Sequence, residues 1–576
     1  MNPFIGHRLL FTPLSPVHIG TGESYEPTHY VIDDGVLHEF DTGSAMAALT
    51  AADRKTLLEI GNRKPDAGMI QAVQRFFFER RQVLMAHAVS RVAVLPGVAG
   101  LYASRVGQIA NHESNGGKVL NKLEIDRTAF NPVTRLPVLF GSSLKGAMRT
   151  ALLDGINRGQ KTQERKGFHD FQKVVLKYQN EQGKLAMDLD PLRLVQVADA
   201  PWGGEPGLPA AQIHLAVNRK KAAVKDEKGN LRKSRADTLY QILECLPAWR
   251  YRAFSGQLNL QTVEGLAEKN RQGQRQLPAP HLRFDARQIA TACNTFYRPI
   301  LEQENDLLRG RGYLDAAWDR DLQQLLTQAK SKMDRGEVFL LRVGKHSGAE
   351  SVTLNGNGVR QIKIMEGKGP DGKNRSSTAA TPKTLWLAAN DQDQTSGLIP
   401  FGWLLVEIHP IQTDVPDWPE LQNTCSPHLA SAHALAAKLH AKEGEIEHLR
   451  KETEERRQQE DAVARQKAEK AAQEAQDLAQ HQARLEALSG NLRQVEAFKK
   501  GCSDRVEQLR GKLDKPFGPF YQRAKQLTEA ARGDDWTGQE RLAAAQAIGE
   551  WLPKIEPIKP KTLEEKLALA TLRGTP

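Results

Sequence analysis

"RLPVLFGSSLKGAMRTALLDGI", residues 135–156, carries an apolar run (Leu136–Phe140) into a helical pattern (Ala147–Ile156) through two glycines, two serines and a lysine. It reads as strand, loop, helix. A helix N-terminus points unpaired N–H groups outward and carries partial positive charge. Glycine lets an anion approach that backbone closely. Ser142 and Ser143 are placed to cap the helix or donate to an oxygen. Lys145 and Arg149, four residues apart, share one helix face. The pattern suits a phosphodiester backbone; the competing reading is a glycine-serine corner that merely turns the chain. It is not a P-loop: Gly141 and Gly146 fit the two glycines of GxxxxGK[ST], but Ala147 stands where the lysine belongs.

Upstream, "HRLLFTPLSPVHIGTG" (7–22) is a strand-like run followed by turn chemistry at Pro13, Pro16, Gly20 and Gly22. "HYVIDDGVLHEFD" (29–41) predicts a β-hairpin about Asp34-Gly35, a pair favoured in two-residue turns needing positive φ. From Gly43 to about Val92 the apolar residues recur at helical spacing. Downstream, a polar stretch (157–184) precedes strand-like runs at 190–200 and 253–260. Between those runs, residues 219–235 hold eight cations against two anions and read as a mobile basic loop or hairpin. Helical patterns return near 284–333. "EVFLLRVGKHSG" (337–348) and "GWLLVEIHP" (402–410) are β-rich, and 369–381 is loop by composition.

After residue 420 the composition changes. Residues 430–490 lack proline and are dominated by Ala, Glu, Gln, Lys and Arg, which predicts a long exposed helix rather than a zipped coiled coil. Residues 500–576 suggest a small helical bundle with Phe520, Trp536 and Trp551 as core candidates. The division is therefore 1–415 (with a basic insertion at about 157–235), 430–490 and 500–576, in line with a 576-residue chain too long for one core. The net charge of +11 is uneven: residues 1–420 carry 54 Lys and Arg against 45 Asp and Glu, which points to an anionic partner for the first region. Four scattered cysteines without a CxxC support neither a zinc ribbon nor a disulfide framework. No signal peptide or membrane-length apolar run is legible, so a cytoplasmic protein with no membrane partner is expected.

The opening "FTPLSPVHIGTGESYEP" (11–27), the "GSSLKGAMR" corner (141–149) and the late "SGLIPFGWLLVEI" (396–408) together resemble the repeat-associated mysterious proteins (RAMPs) of CRISPR effectors. "DPLRLVQVADA" (190–200), "FLLRVGKHSGAESVT" (339–353) and "TPKTLWL" (381–387) are similar, more narrowly, to the fifth-subunit family of the type III-A Csm complex. The resemblance covers about residues 5–410. It implies an α+β fold: a modified RRM or ferredoxin-like core with insertions, followed here by an all-α C-terminal extension. It implies binding of CRISPR RNA at the guide's 3′ end, beside a repeated backbone RAMP subunit and in contact with target RNA, with no established catalytic centre and no cofactor or metal. By position it places RNA-backbone contacts at Gly141, Ser142, Ser143, Lys145, Gly146 and Arg149, and in a second glycine-rich element at Gly344, Lys345, Ser347 and Gly348. Leu139-Phe140 replaces the family's Ile-Pro before the corner.

Individual residues carry rival readings. His18, beside Gly20 in "PVHIGTG", contacts RNA, performs acid–base chemistry or orients local backbone. Asp33 and Asp34 are candidates for metal-assisted RNA cleavage, because such chemistry needs carboxylates near the scissile phosphate; the plainer reading is a hairpin turn. Tyr30, Phe130 and Trp202 stack bases or pack in cores. His112 and Asn115–Gly117 belong to an RNA-facing loop. Three functions follow: a non-catalytic guide-binding cap of a type III effector, a metal-dependent ribonuclease for target cutting or guide processing, and an adaptor whose helical tail recruits a partner. The tail is also placed to pack on a small helical subunit of the complex.

Overall fold

The computed structural model describes residues 3–107, 123–161, 168–224, 238–356, 359–368 and 372–574. His112 and Asn115–Gly117, and the part of the basic run from 225 to 235, lie outside the described residues. The chain divides into two compact units, Met1–Glu455 and Arg456–Pro576.

In the first unit the strand Phe4–Pro13 is central. Its last five residues are buried, and it pairs antiparallel with Phe254–Gln261 on one side and Trp403–Pro410 on the other. The full order is Val338–Arg342, Trp403–Pro410, Phe4–Pro13, Phe254–Gln261, Val195–Val197. In chain order the elements are strand 4–13, helix Gly141–Asn157, strands 195–197 and 254–261, helix Ala286–Gly310 and strand 403–410. That is βαββαβ with spatial order 4-1-3-2, the ferredoxin-like core that the family resemblance implies, with Val338–Arg342 added outside the fourth strand. The helices cover the sheet with Met148, Leu152, Ile289, Phe296 and Leu301 against Leu9, Phe11, Leu258, Leu340 and Leu405. Each such side chain contributes roughly 1.5–3 kcal/mol on burial.

A second, larger sheet is built on Gln212–Lys220, seven of whose nine residues are buried. It pairs with Tyr240–Cys245 and Thr384–Ala389, and at its start with Ser90–Val94. The predicted hairpin is present: Tyr30–Asp33 pairs with Val36–Glu39, and Asp34 (φ 48°) and Gly35 (φ 77°) make the turn. Helices between Thr42 and Ala86 pack on it through Phe40, Phe76, Phe77 and Leu84. The region beyond residue 430 begins with helix Ala430–Ala441, breaks at Lys442 and continues as Glu443–Glu486. Thr453 on this helix is buried, and the Arg450 Nε donates to the Ala86 carbonyl (2.5 Å).

In the second unit, residues 461–484 of that helix are exposed throughout. The bundle that follows buries Phe498, Tyr521, Trp536, Ile548 and Leu552, with Phe520 and Trp551 at its margin. The helix Pro519–Ala530 has no side-chain cap of its own; wholly buried Glu556 supplies it, accepting from the N–H groups of Gly518, Phe520 and Tyr521. All four cysteines are free and buried. Among the described residues no helix is long and apolar enough to cross a membrane.

Candidate nucleic-acid interface

The segment Leu14–Ile19 leaves the first sheet and is stitched to two other segments. Leu14 N–H donates to the Trp403 carbonyl (2.9 Å), Gly402 N–H to Pro16 (2.9 Å), and Val17 bridges Leu246. His18 is buried to 1%, and its Nδ1 lies 2.7 Å from the Glu244 carbonyl. A carbonyl only accepts, so the ring proton sits on Nδ1 and the other nitrogen is unprotonated. Burial lowers the pKa of His18 and keeps the ring neutral.

The second glycine-rich element packs directly on this histidine. Lys345 N–H donates to the His18 carbonyl (2.8 Å). Gly344 has φ 83°, and a Cβ there would stand 2.2 Å from that same carbonyl oxygen, so only glycine fits. The Lys345 ammonium reaches Asp126 (2.5 Å), with both side chains about one-third exposed. His346 stacks on Trp386 at 4.7 Å and bonds Gln241 (3.0 Å). Burial, then the Lys345 charge, push its pKa down to about 3. Ser347 is buried, and Gly348 (φ 77°) lies against the Arg342 guanidinium. Gly20 is exposed, beside the free edge of the His18 ring.

At the 141 corner the helix begins at Gly141, two residues earlier than a cap at Ser142 requires. Phe140 is the cap residue and makes no side-chain cap bond, which corrects the expected capping role of Ser142 and Ser143. Gly141 is buried: a Cβ would lie 2.2 Å from the Val197 carbonyl. Its N–H is taken by Asp199 Oδ1 at 2.7 Å, so one amide of the helix terminus already holds an anionic oxygen from the chain itself. Ser142 and Gly146 are exposed and Ser143 is half-buried; nothing approaches the Gly146 Cβ position within 4 Å. Lys145 is half-buried, has no hydrogen-bond or ion-pair partner among the described residues, and is held below its usual pKa by desolvation. Arg149 is engaged: its Nε donates to Gln172 (2.7 Å) and its terminal nitrogen to Asp190 (2.9 Å).

Sequence reasoning missed Asp126, Asp190, Asp199, Gln241 and Trp386, which meet the glycine elements only through long-range folding. Of the aromatic candidates, Tyr30 is buried with its hydroxyl on the Leu123 carbonyl. Phe130 lies under Arg127 (3.8 Å to the ring centre), and Trp202 packs edge-on against Phe254 (5.3 Å). Arg219, first in the basic run, is 2% exposed and donates to the carbonyls of Gln392 and Gln394. Asp33 pairs with Arg81 (3.0 Å). Asp34 accepts from Lys442 (3.1 Å) and Lys438 (3.3 Å), and these hydrogen bonds hold its carboxyl below its usual pKa. No group of three His, Cys, Asp or Glu arranged to hold a metal ion occurs among the described residues.

The sequence matches the family model described as RAMP superfamily over residues 10–337. No curated protein sequence matches it. Among solved structures it is similar to the crystal structure of T. onnurineus Csm5, at 14% identity and TM-score 0.37, covering 69% of this chain and 99% of that one. It is likewise similar to a chain in the cryo-EM structure of the Csm-crRNA-target RNA ternary complex of a type III-A CRISPR-Cas system, at 18% identity and TM-score 0.37, covering 70% and 100%. With more than half of its length under the family match, and a 4-1-3-2 ferredoxin-like core that the match covers in part, the chain belongs to the RAMP superfamily.

Proposed function

We propose that the chain is a non-catalytic RNA-binding subunit of a type III CRISPR effector that holds the 3′ part of the guide and caps the complex beside a repeated backbone RAMP subunit. The observation that carries this reading is the 141 corner: a helix terminus at which Asp199 holds only the first amide, exposed Ser142 and Gly146, and, one turn into the helix, Lys145 with no hydrogen-bond or ion-pair partner among the described residues. The Ser142 amide, two serine hydroxyls and a cation lie there without any base-reading group, the Gly141, Ser143 and Leu144 amides being taken by Asp199 and the Phe140 carbonyl. The contact is therefore with the phosphate backbone, and sequence selection falls to pairing between guide and target. Superfamily membership and the cation excess of residues 1–420 support it. The test is the affinity of the purified protein for a labelled guide RNA across a salt series, comparing wild type with Lys145→Ala. A weaker, less salt-dependent complex with unchanged sequence preference is expected; identical binding curves reject the corner as the contact.

A ribonuclease centred on Asp34 would have to displace two lysines before a divalent ion could reach the carboxylate. The adaptor reading is favoured by one feature: the exposed helical stretch 461–484 carries Val463 and Leu478 bare to solvent. Val463→Asp with Leu478→Asp would abolish co-purification with a small helical subunit of the complex if that stretch is the docking face.

A further inference from the structure

Beyond the glycine corners, a cleft of about 720 Å³ opens where the two sheets of the first unit meet. The helix Ala286–Gly310 presents one face to it, Ile300, Gln303, Glu304 and Leu307 at i, i+3, i+4 and i+7. The opposite wall is Leu385 and Pro382, with Lys220 and Lys383 beside them. The backbones of those two lysines meet at one edge of the cleft, Lys220 being opposite Thr384 in the ladder and Lys221 N–H donating to the Lys383 carbonyl (3.1 Å). The carboxylates of the cleft are already matched, Glu304 by Arg342 (3.0 Å) and Glu350 by Lys221 (2.5 Å). The ammonium groups of Lys220 and Lys383 have no hydrogen-bond or ion-pair partner among the described residues, so the uncompensated charge is positive. An exposed two-stranded ribbon, Ile362–Lys368 with Asn374–Ala379, rises between the lining residues Arg360 and Thr381 and presents exposed Lys363 and Arg375.

We propose that this cleft receives one nucleotide of a single-stranded RNA, its base between the Ile300–Leu307 face and Leu385, its flanking phosphates on Lys220 and Lys383. The proposal rests on the RNA-binding reading above and adds a second point of attachment to it. The distribution of charge selects the occupant. A nucleotide carries its charge outside and an uncharged flat ring inside, matching an apolar interior with a cationic edge. An acidic peptide would bring carboxylates towards Glu304 and Glu350. A duplex keeps its bases stacked and cannot lend one to a cleft. The volume falls within the ~300–1,000 Å³ range of small-molecule sites.

The test uses the full-length protein and a short single-stranded RNA containing the fluorescent base 2-aminopurine, titrated over a salt series. Lys220→Ala/Lys383→Ala removes two phosphate ligands. With a slope of about 0.7 per neutralised phosphate for single strands, the log–log salt dependence becomes shallower by about 1.4, and affinity at 0.1 M salt falls roughly 25-fold. Gln303→Glu, nearly isosteric, adds a carboxylate to the cleft; it weakens binding and removes the 2-aminopurine fluorescence change. Denaturant midpoints close to wild type are expected for both, since neither breaks a hydrogen bond or ion pair among the described residues. Unchanged binding in both, with Lys145→Ala still weakened, overturns the cleft and leaves the corner reading intact. A wild-type protein that binds no RNA overturns both. Duplex RNA bound as tightly as single-stranded RNA, or displacement of the RNA by polyglutamate of equal charge, also refutes the proposal.

Discussion

Lys145 and Arg149 lie on the same helix face, yet the structure assigns them opposite consequences on truncation. The Arg149 guanidinium is 21% exposed and holds Asp190, 7% exposed, at 2.9 Å while also donating to Gln172 at 2.7 Å. Asp190 in turn accepts from Leu192 N–H (2.9 Å) and starts the turn Pro191–Leu194. Removing the guanidinium leaves a buried carboxylate with one backbone donor. A charge-assisted hydrogen bond is worth about 1.5–3 kcal/mol, and breaking a buried pair costs about 3–5 kcal/mol. Partial exposure of Arg149 lowers the expectation for Arg149→Ala to about 2–3 kcal/mol of the first unit's stability. Lys145→Ala breaks no hydrogen bond or ion pair among the described residues and relieves a desolvated ammonium, so stability stays within about 0.5 kcal/mol of wild type. Its effect falls on RNA instead: without this one cation on a phosphate, affinity at 0.1 M salt drops about 5-fold. Urea unfolding followed by tryptophan fluorescence, paired with RNA titration, separates the two. The reasoning fails if Arg149→Ala leaves the midpoint unchanged while lowering affinity more than Lys145→Ala does. That result would make Arg149 a phosphate ligand rather than the partner of Asp190.

Gly344→Ala forces a Cβ to within 2.2 Å of the His18 carbonyl at φ 83°. A loss of at least about 3 kcal/mol is expected in denaturant unfolding. Lys438→Ala/Lys442→Ala removes two largely exposed partners of Asp34, so stability should shift by less than about 1 kcal/mol. The same variant should show no magnesium-dependent RNA cleavage; cleavage gained on freeing the carboxylate would establish the ribonuclease reading. Acid should destabilise the first unit through its buried histidines. Burial lowers the pKa of His38 and His214 to about 4 and of His346 to about 3, from an ordinary 6.5. The unfolded chain then binds protons first, so the contribution is complete above pH 6.5 and is lost as pH falls towards those folded values, by up to about 1.4 kcal/mol per histidine per pH unit. Glu244, raised by burial to about 7, works in the opposite sense and is most favourable below pH 4.5. Urea midpoints that stay level between pH 7 and pH 5 would contradict the histidine argument.

Local chemistry was legible in the sequence wherever neighbours in the chain decide the outcome. Asp34-Gly35 specifies its own turn, and the switch from an apolar run to helical spacing marks the 141 corner, because both depend on backbone preference within a few residues. The sequence did not reveal which polar groups are already satisfied. Arg219 heads a run of eight cations and reads as solvated, yet three carbonyls bind it: Asn218, Gln392 and Gln394. Asp190 and Asp199 lie 41 and 58 residues from the groups they hold. The helix beyond residue 430 reads as exposed because its composition is polar. Lys438, Lys442 and Arg450 nevertheless lie on a face that meets Asp34 and Ala86. A salt bridge across four hundred residues leaves no periodic trace.

That distinction bears on how glycine should be read at an RNA site. The sequence offers two explanations for the glycines of such corners, that a phosphate needs room or that the chain must turn. At Gly141 and Gly344 a different requirement suffices, since a Cβ would strike the carbonyls of Val197 and His18. Those positions would be glycine in a protein that touched no nucleic acid. At Gly146 an added Cβ would meet nothing within 4 Å among the described residues beyond its own helix backbone, and φ is not positive, so neither packing nor backbone conformation calls for glycine. On a helix, glycine costs about 1 kcal/mol relative to alanine. An exposed helical position that bears that cost without a structural return, one residue after the unpartnered Lys145, is where an approaching ribose-phosphate would be obstructed by a side chain. Gly146→Ala should therefore stabilise the free protein by about 1 kcal/mol and weaken RNA binding. Stabilisation without any drop in affinity would place the guide elsewhere on the surface.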